Sequence, residues 1–245
     1  MNPGWKFAAA GGLGGALLAY LLVFATSGLG WMPVNGPAMH RYLIDHPEVM
    51  VEMVQALQAR DAQKENDTRQ AAVDKLGVKA FLDPRVAYVT GPANAKNTVV
   101  EFFDYNCPFC RASTPAMTKF YAAHKNDTRF AFIEYPFKGP ESVTAARAAI
   151  AARKQPGKYV DFHFLMMNGD EITSDESVMA AARKAGLDIA KLKADMQDTN
   201  IDLVIARAHT LGDAAKVTGT PTFIVNGKAR DGQIDEKKLD AMVKA

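Results

Sequence analysis

The chain has 245 residues, 48% of them apolar and 23% charged, with a formal net charge of +2. That balance fits a globular protein and excludes a nucleic-acid binder, whose basic patch would dominate the charge count. The 18 Gly and 12 Pro are ordinary numbers for this length, which excludes fibrous and low-complexity classes.

Residues 7–25, FAAAGGLGGALLAYLLVFA, carry no charge and follow Lys6. A helix of that length, rising ~1.5 Å per residue, matches a bilayer core. Two readings remain open: an uncleaved membrane anchor, which the length favours, or a secretory signal cut near Ala25-Thr26-Ser27. Both export the rest of the chain. Residues 28–37, rich in Gly and Pro, read as a linker. Residues 38–80 form a polar-amphipathic helical arm, interrupted near Pro47. Leu43, Met50 and Leu57 recur at intervals of seven, with Met53 and Val54 between them. This apolar stripe either folds back on the body or makes a homo-oligomer through residues 38–75. Two heptads do not define a coiled coil.

From residue 81 the pattern changes. DPRVAYVTG is a short extended segment. TVVEFFDY, β-branched and aromatic, reads as a buried strand. RASTPAMTKFYAAHKN has helical spacing, with Pro115 as a kink, and RFAFIEYPF is another strand. Residues 140–216 read as almost all helical, with Asp, Ser and Gly at capping positions. TPTFIVNG is a strand ending in an Asn-Gly hairpin turn, KARDG a short strand, and DEKKLDAMVKA a terminal helix. The order predicts an α/β domain over residues 81–245, its parallel or mixed sheet covered on both faces. The helical block is an insertion into it.

The only two cysteines, Cys107 and Cys110, share one Cys-Pro-Phe-Cys turn. Zinc requires four ligands, there is no second pair, and the five histidines show no paired spacing; no metal is expected. A structural disulfide across so small a loop removes little chain entropy. Redox exchange remains. Cys107 falls at a helix start, where unpaired N–H groups and the helix dipole favour thiolate. Pro108 in the first turn costs no hydrogen bond. Cys110, one turn in, is placed to be more buried, less ionised and able to resolve a mixed disulfide. Over a hundred residues later, Pro221 opens a strand after Thr220. It is either an ordinary trans proline on an edge strand or a cis proline that exposes the Thr220 backbone to an extended substrate. The upstream cysteines favour the second.

EFFDYNCPFC followed by GTPTFIVNG resembles the thioredoxin superfamily, and within it the DsbA-like thiol–disulfide oxidoreductases of bacterial envelopes. YLIDHPEVMVEMVQAL is similar to the N-terminal segment of ScsC-like members, where it mediates oligomerisation. The resemblance implies a thioredoxin fold with an inserted helical domain, preceded by the transmembrane segment and the arm. It implies a catalytic pair at Cys107 and Cys110 and a cis proline at Pro221, with Pro108, Phe109, Thr220 and Pro221 meeting the substrate. No cofactor is implied. The implied partners are exported proteins carrying thiols or disulfides and a membrane redox partner that resets the pair, on the periplasmic side of the bacterial inner membrane.

Glu101 matches the buried acid beneath such sites. Its residues also allow two positions: buried without a partner, as a proton acceptor for Cys110, or pointing outward at a strand end. Phe109 departs from the histidine of the best-known oxidase, which can add positive charge near the thiolate, so the resemblance does not set the oxidising strength; a monomeric oxidase and an oligomeric isomerase are the two versions of the exchange reading. Lys138 lies in a loop near the site and reads as a solubilising lysine. A different class of function also remains: a thioredoxin-like module that handles Cu(I) or presents a client without exchanging disulfides.

Overall fold

The computed structural model describes residues 36–169, 172 and 174–244. The anchor or signal segment expected at residues 7–25 lies outside the described residues. Among those described, no helix is long and apolar enough to cross a membrane.

Helix α1, Gly36–Asp45, stops at His46-Pro47, and α2, Glu48–Leu76, begins directly after it. The break falls at Pro47, which has no N–H to continue the ladder. The chain divides into two units, one ending at Asp61 and the other spanning Ala62–Ala245. The boundary therefore lies inside α2, earlier than the arm's expected end at residue 80. The cause is packing: Arg69 and Val73 of α2, and Phe81 of the short 3₁₀ turn Val78–Leu82, are buried in the second unit.

That unit is built on five strands: β1 Tyr88–Thr90, β2 Asn97–Phe103, β3 Thr128–Glu134, β4 Thr222–Val225 and β5 Lys228–Asp231. The sheet order is β1-β3-β2-β4-β5. Only β2 and β3 are parallel, joined by helix α3, Pro108–His124. This is a thioredoxin-like mixed sheet. The Asn-Gly turn expected after β4 is present: Asn226 and Gly227 have φ values of 50° and 83°, as a type I′ hairpin requires.

Between β3 and β4 run α4 Pro140–Ala152, α5 Tyr159–Asn168, α6 Asp175–Lys184, α7 Ile189–Asp195 and α8 Asn200–Ala214; α9, Glu236–Lys244, ends the described chain. Ala-rich α4 buries most of its length, so α5, α6, α7 and α8 all pack on it. Ser174 caps α6 in a reciprocal pair with Ser177.

Successive strand residues face opposite sides of the sheet. Val99, Phe103, Phe130, Phe132 and Phe223 join Met117 and Phe120 of α3 and the insertion helices on one side. Val100, Phe102, Ile133 and Ile224 join Val73, Phe81 and Ala208 on the other. Glu101, flanked by Val100 and Phe102, therefore faces the α3 side.

Candidate active site

β2 delivers the chain to the site and Asp104 turns it. Asp104 is buried, and its carboxylate accepts from the N–H groups of Asn106, Phe137 and Lys138 at 2.7, 2.7 and 3.0 Å and from the Ser142 hydroxyl at 2.7 Å. Its carbonyl accepts from Cys107 N–H at 3.1 Å. One acid thus joins the end of β2, the loop after β3 and the start of α4. The local signal was present in the sequence, since Asp at i bonding N–H at i+2 is an Asx turn, but its two distant partners had no sequence signature.

Cys107 is the N-cap of α3, with Pro108 in the first turn. Both cysteines are free thiols, Cys107 1% and Cys110 0% exposed. Their ionisation differs far more than their exposure. The Cys110 side chain lowers Cys107 most; the Thr220 side chain and the N–H groups of Cys110 and Phe109 add to it, against desolvation, and the result is about 5. Burial above all, then the Cys107 sulfur and the Glu101 charge, push Cys110 far up.

The Thr220–Pro221 peptide is cis, and the Cys107 thiol donates to the Thr220 carbonyl at 3.0 Å. A carbonyl acceptor favours the protonated thiol, so the thiolate depends on the donors around it. The Thr220 hydroxyl is buried with no partner in hydrogen-bond range, yet close enough to lower the Cys107 thiol; by turning, it can donate to an ionised sulfur.

Glu101 is 2% exposed on the α3 side of β2. Desolvation first, and the Cys107 charge second, raise its carboxyl to about 8. Glu101 and Cys110 sit near enough that the charge on the acid raises the thiol. The structure therefore brings together Glu101, Cys107, Cys110 and Thr220. Pro221 is buried beside them, while Pro108 is exposed on the rim. Phe109 is 59% and Phe137 46% exposed. Lys138 is exposed, as expected of a solubilising lysine, and its ammonium lies 5.1 Å from the Phe137 ring centroid, a cation–π contact. Arg111, next to Cys110, donates to the carbonyls of Tyr105, Met166 and Gly169 and ties α3 to the end of α5. Among the described residues there is no group of three or more His, Cys, Asp or Glu able to hold a metal.

Residues 83–245 match the family described as Thioredoxin. The chain belongs to the thioredoxin family. Residues 36–64 match a second family, described as Copper resistance protein ScsC N-terminal domain; together with the thioredoxin match, this places the chain among the DsbA-like and ScsC-like thiol–disulfide oxidoreductases. A thioredoxin-like oxidoreductase from Silicibacter pomeroyi DSS-3 is 36% identical to it; the match covers 67% of this chain and 93% of that one, with a TM-score of 0.61. A periplasmic thioredoxin-like protein from Salmonella enterica serovar Typhimurium is 30% identical, covering 67% and 92% of the two chains, also with a TM-score of 0.61. The Na(+)/H(+) antiporter NhaA 3 of Salinispora tropica is 30% identical over 164 residues, 66% of this chain and 25% of that protein. This thioredoxin spans about a quarter of the length of the curated relatives it matches. At the level of the family, the activity is thiol–disulfide exchange.

Proposed function

We propose that this thioredoxin exchanges thiols and disulfides in exported proteins through Cys107 and Cys110. The observation that carries the reading is the placement of the two sulfurs: Cys107 caps α3 with its thiol 3.0 Å from the carbonyl before cis Pro221, and Cys110 is buried one turn in, which lowers Cys107 to about 5 and pushes Cys110 far up. At neutral pH one is a nucleophile and the other a retained thiol.

The Cys107 thiolate attacks one sulfur of a client disulfide, forming a mixed disulfide and expelling the other client sulfur as a thiolate. Cys110 then loses its proton and attacks Cys107. A Cys107–Cys110 disulfide forms, and the second client sulfur leaves with the bonding pair, so two electrons have passed to the client. Glu101, ionised once its proton has gone, is the base for Cys110. Run backwards, the same steps oxidise a client dithiol. Stabilising the Cys107 thiolate stabilises the reduced pair, which makes the disulfide the stronger oxidant.

Pro108, Phe109, Thr220 and Pro221 form the client-facing surface. The apolar exposure of Phe109 and the Thr220 carbonyl beside Cys107 support that assignment. The domain scheme that goes with this reading is a membrane anchor or signal segment and linker over residues 1–37, an oligomerisation arm over 38–80 and the exchange domain over 81–245. It places the protein on the periplasmic side of the inner membrane, anchored by residues 7–25 or released by cleavage, with a membrane redox partner that resets the pair. The exposed apolar side chains of Tyr42, Met50, Met53, Val54 and Leu57 support self-association through residues 38–75, and several sites held together suit an isomerase.

The test is reshuffling of scrambled ribonuclease by the wild type and by Cys107→Ser, with the alkylation rate of Cys107 followed from pH 4 to 8. Activity should vanish in the variant, and alkylation should rise through pH about 5 and level off by about pH 6, because each pH unit below the pKa removes ten-fold of the thiolate. Stoichiometric Cu(I) binding by the two thiols, with undiminished reshuffling by Cys107→Ser, would replace this reading with the copper-handling one suggested by the name of the N-terminal family.

A further inference from the structure

Arg69 sits in α2, 147 residues before its first distant partner, and its side chain is 1% exposed. A guanidinium removed from water needs its donors filled and its charge met. Its Nε donates to the Lys216 carbonyl at 3.0 Å, Nη1 to the Asn66 amide oxygen at 3.0 Å, and Nη2 to the Thr218 hydroxyl at 3.2 Å. Nη2 also lies 2.5 Å from the Asp231 carboxylate. Apart from Asn66, a neighbour on the same helix, the partners belong to the segment leading into β4 and to the strand beside it.

That segment, Lys216–Thr222, is the strap that carries Thr220. It leaves α8 with Lys216 in the left-handed region, at φ 59°. Its far end is held by β5. The Thr222 hydroxyl lies 2.8 Å from the Asp231 carboxylate and 2.8 Å from the Gly219 carbonyl, its single proton serving one at a time. The Pro221 carbonyl accepts from Gly232 N–H at 2.9 Å. Arg69 therefore grips the strap directly at Lys216 and Thr218 and indirectly, through Asp231, at Thr222. Between those grips hangs the Thr220 carbonyl that receives Cys107. A buried ion pair is a poor way to gain stability alone, since apolar packing often does better. A planar fork with fixed donor directions is a good way to fix a loop.

We propose that Arg69 is a positioning residue for thiol–disulfide exchange: it fixes the strap so that the Thr220 carbonyl and hydroxyl stay against Cys107. The inference rests on the exchange reading of Cys107. It assigns a residue of the N-terminal helix to the active site.

Arg69→Met and Arg69→Lys are made in the full-length chain, with Gln70→Ala as comparator. Gln70 also fastens α2 to the sheet, but at the Gly227 carbonyl of the β4–β5 turn and the Ala229 N–H of β5, 2.8 and 2.9 Å away. Cys107 is titrated by thiolate absorbance, and kcat/KM is measured with a fluorescent disulfide peptide. Arg69→Met should move the titration to higher pH, because the Thr220 hydroxyl that lowers Cys107 swings away with the strap and its loss outweighs that of the carbonyl acceptor, and should lower kcat/KM roughly ten-fold, as loss of positioning does. Arg69→Lys, which keeps the charge for Asp231 but not the fork, should recover part of both. Gln70→Ala should leave both at wild-type values even where its thermal midpoint falls as far. If Arg69→Met does not fold, Thr218→Val, which removes only one grip on an exposed residue, should shift the titration in the same direction by a smaller amount. A wild-type titration curve in folded Arg69→Met, or in Thr218→Val if that variant must stand in, overturns the inference. The titration needs no client, so it decides the role of Arg69 even if the wild type proves to exchange nothing, a result that would sink the exchange reading instead.

Discussion

At the scale of single residues, the site contains two acids with opposite tasks. Asp104 is buried with four donors, whereas the Glu101 carboxyl is buried with desolvation as the main force on it. A carboxyl whose folded value is raised gives its full contribution to stability below the unfolded value, near 4.5, and loses it as pH rises through about 8. Glu101→Gln has no such dependence. The variant should therefore gain stability over the wild type as pH goes from 5 to 8, by roughly 1.4 kcal/mol per unit at most, and the gain should flatten above that. Urea midpoints of the reduced proteins at pH 5, 7 and 8.5 measure it. The same variant should slow release of client from the mixed disulfide, because Cys110 loses its base. Cys107 and Cys110 were legible in the sequence because their chemistry is local: a helix start acts on whatever stands there. Glu101 was legible only as a pair of alternatives. An acid in an apolar strand has a known face only once its neighbours' register is fixed, and Val99 opposite Phe130 and Val225 fixes it.

At the scale of elements, the order of strands and helices followed from periodicity and turn residues, and the helical block from its caps. The way the elements are tied together did not. Asp104 bonds across 33, 34 and 38 residues to the loop after β3 and to α4, and no pattern in a linear chain marks such a partner. Asp104→Ala would strand three N–H groups and a buried hydroxyl, and should cost about 3 kcal/mol in denaturant unfolding. Hydrogen exchange at Phe137 and Lys138 should accelerate more than at β3. Equal protection at those amides would mean the loop is held by something else. Pro115 was read as a kink, and α3 runs from Pro108 to His124 through it. Buried Cys110 and Thr114 before it, and buried Met117 and Phe120 after it, hold the helix on both sides of the missing donor.

At the scale of the whole molecule, α1 and the first half of α2 carry apolar side chains that no described residue of their own unit covers: Met39, Tyr42, Ile44, Met50, Met53, Val54 and Leu57 are all exposed. Water-exposed apolar surface of this kind marks an interaction site and underlies the self-association proposed for residues 38–75. The double variant Met50→Lys/Leu57→Lys should sediment as a monomer where the wild type sediments as an oligomer, and Cys107 should titrate unchanged. An unchanged sedimentation coefficient would remove the arm from assembly. The sequence placed the boundary of the arm at residue 80 because helical periodicity continues to Leu76; it could not show that the last turns bury Val73 and Arg69 against a sheet far along the chain. That placement has a practical consequence for anyone trimming the protein. A fragment begun at residue 83, where the thioredoxin match starts, would have its cysteines, its acid and its proline, and would leave Asp231 without its cation and the Lys216 carbonyl without its donor. A protease that cuts α2 beyond Arg69 would release the proposed grip on the strap and leave residues 83–245, the stretch that defines the family, intact.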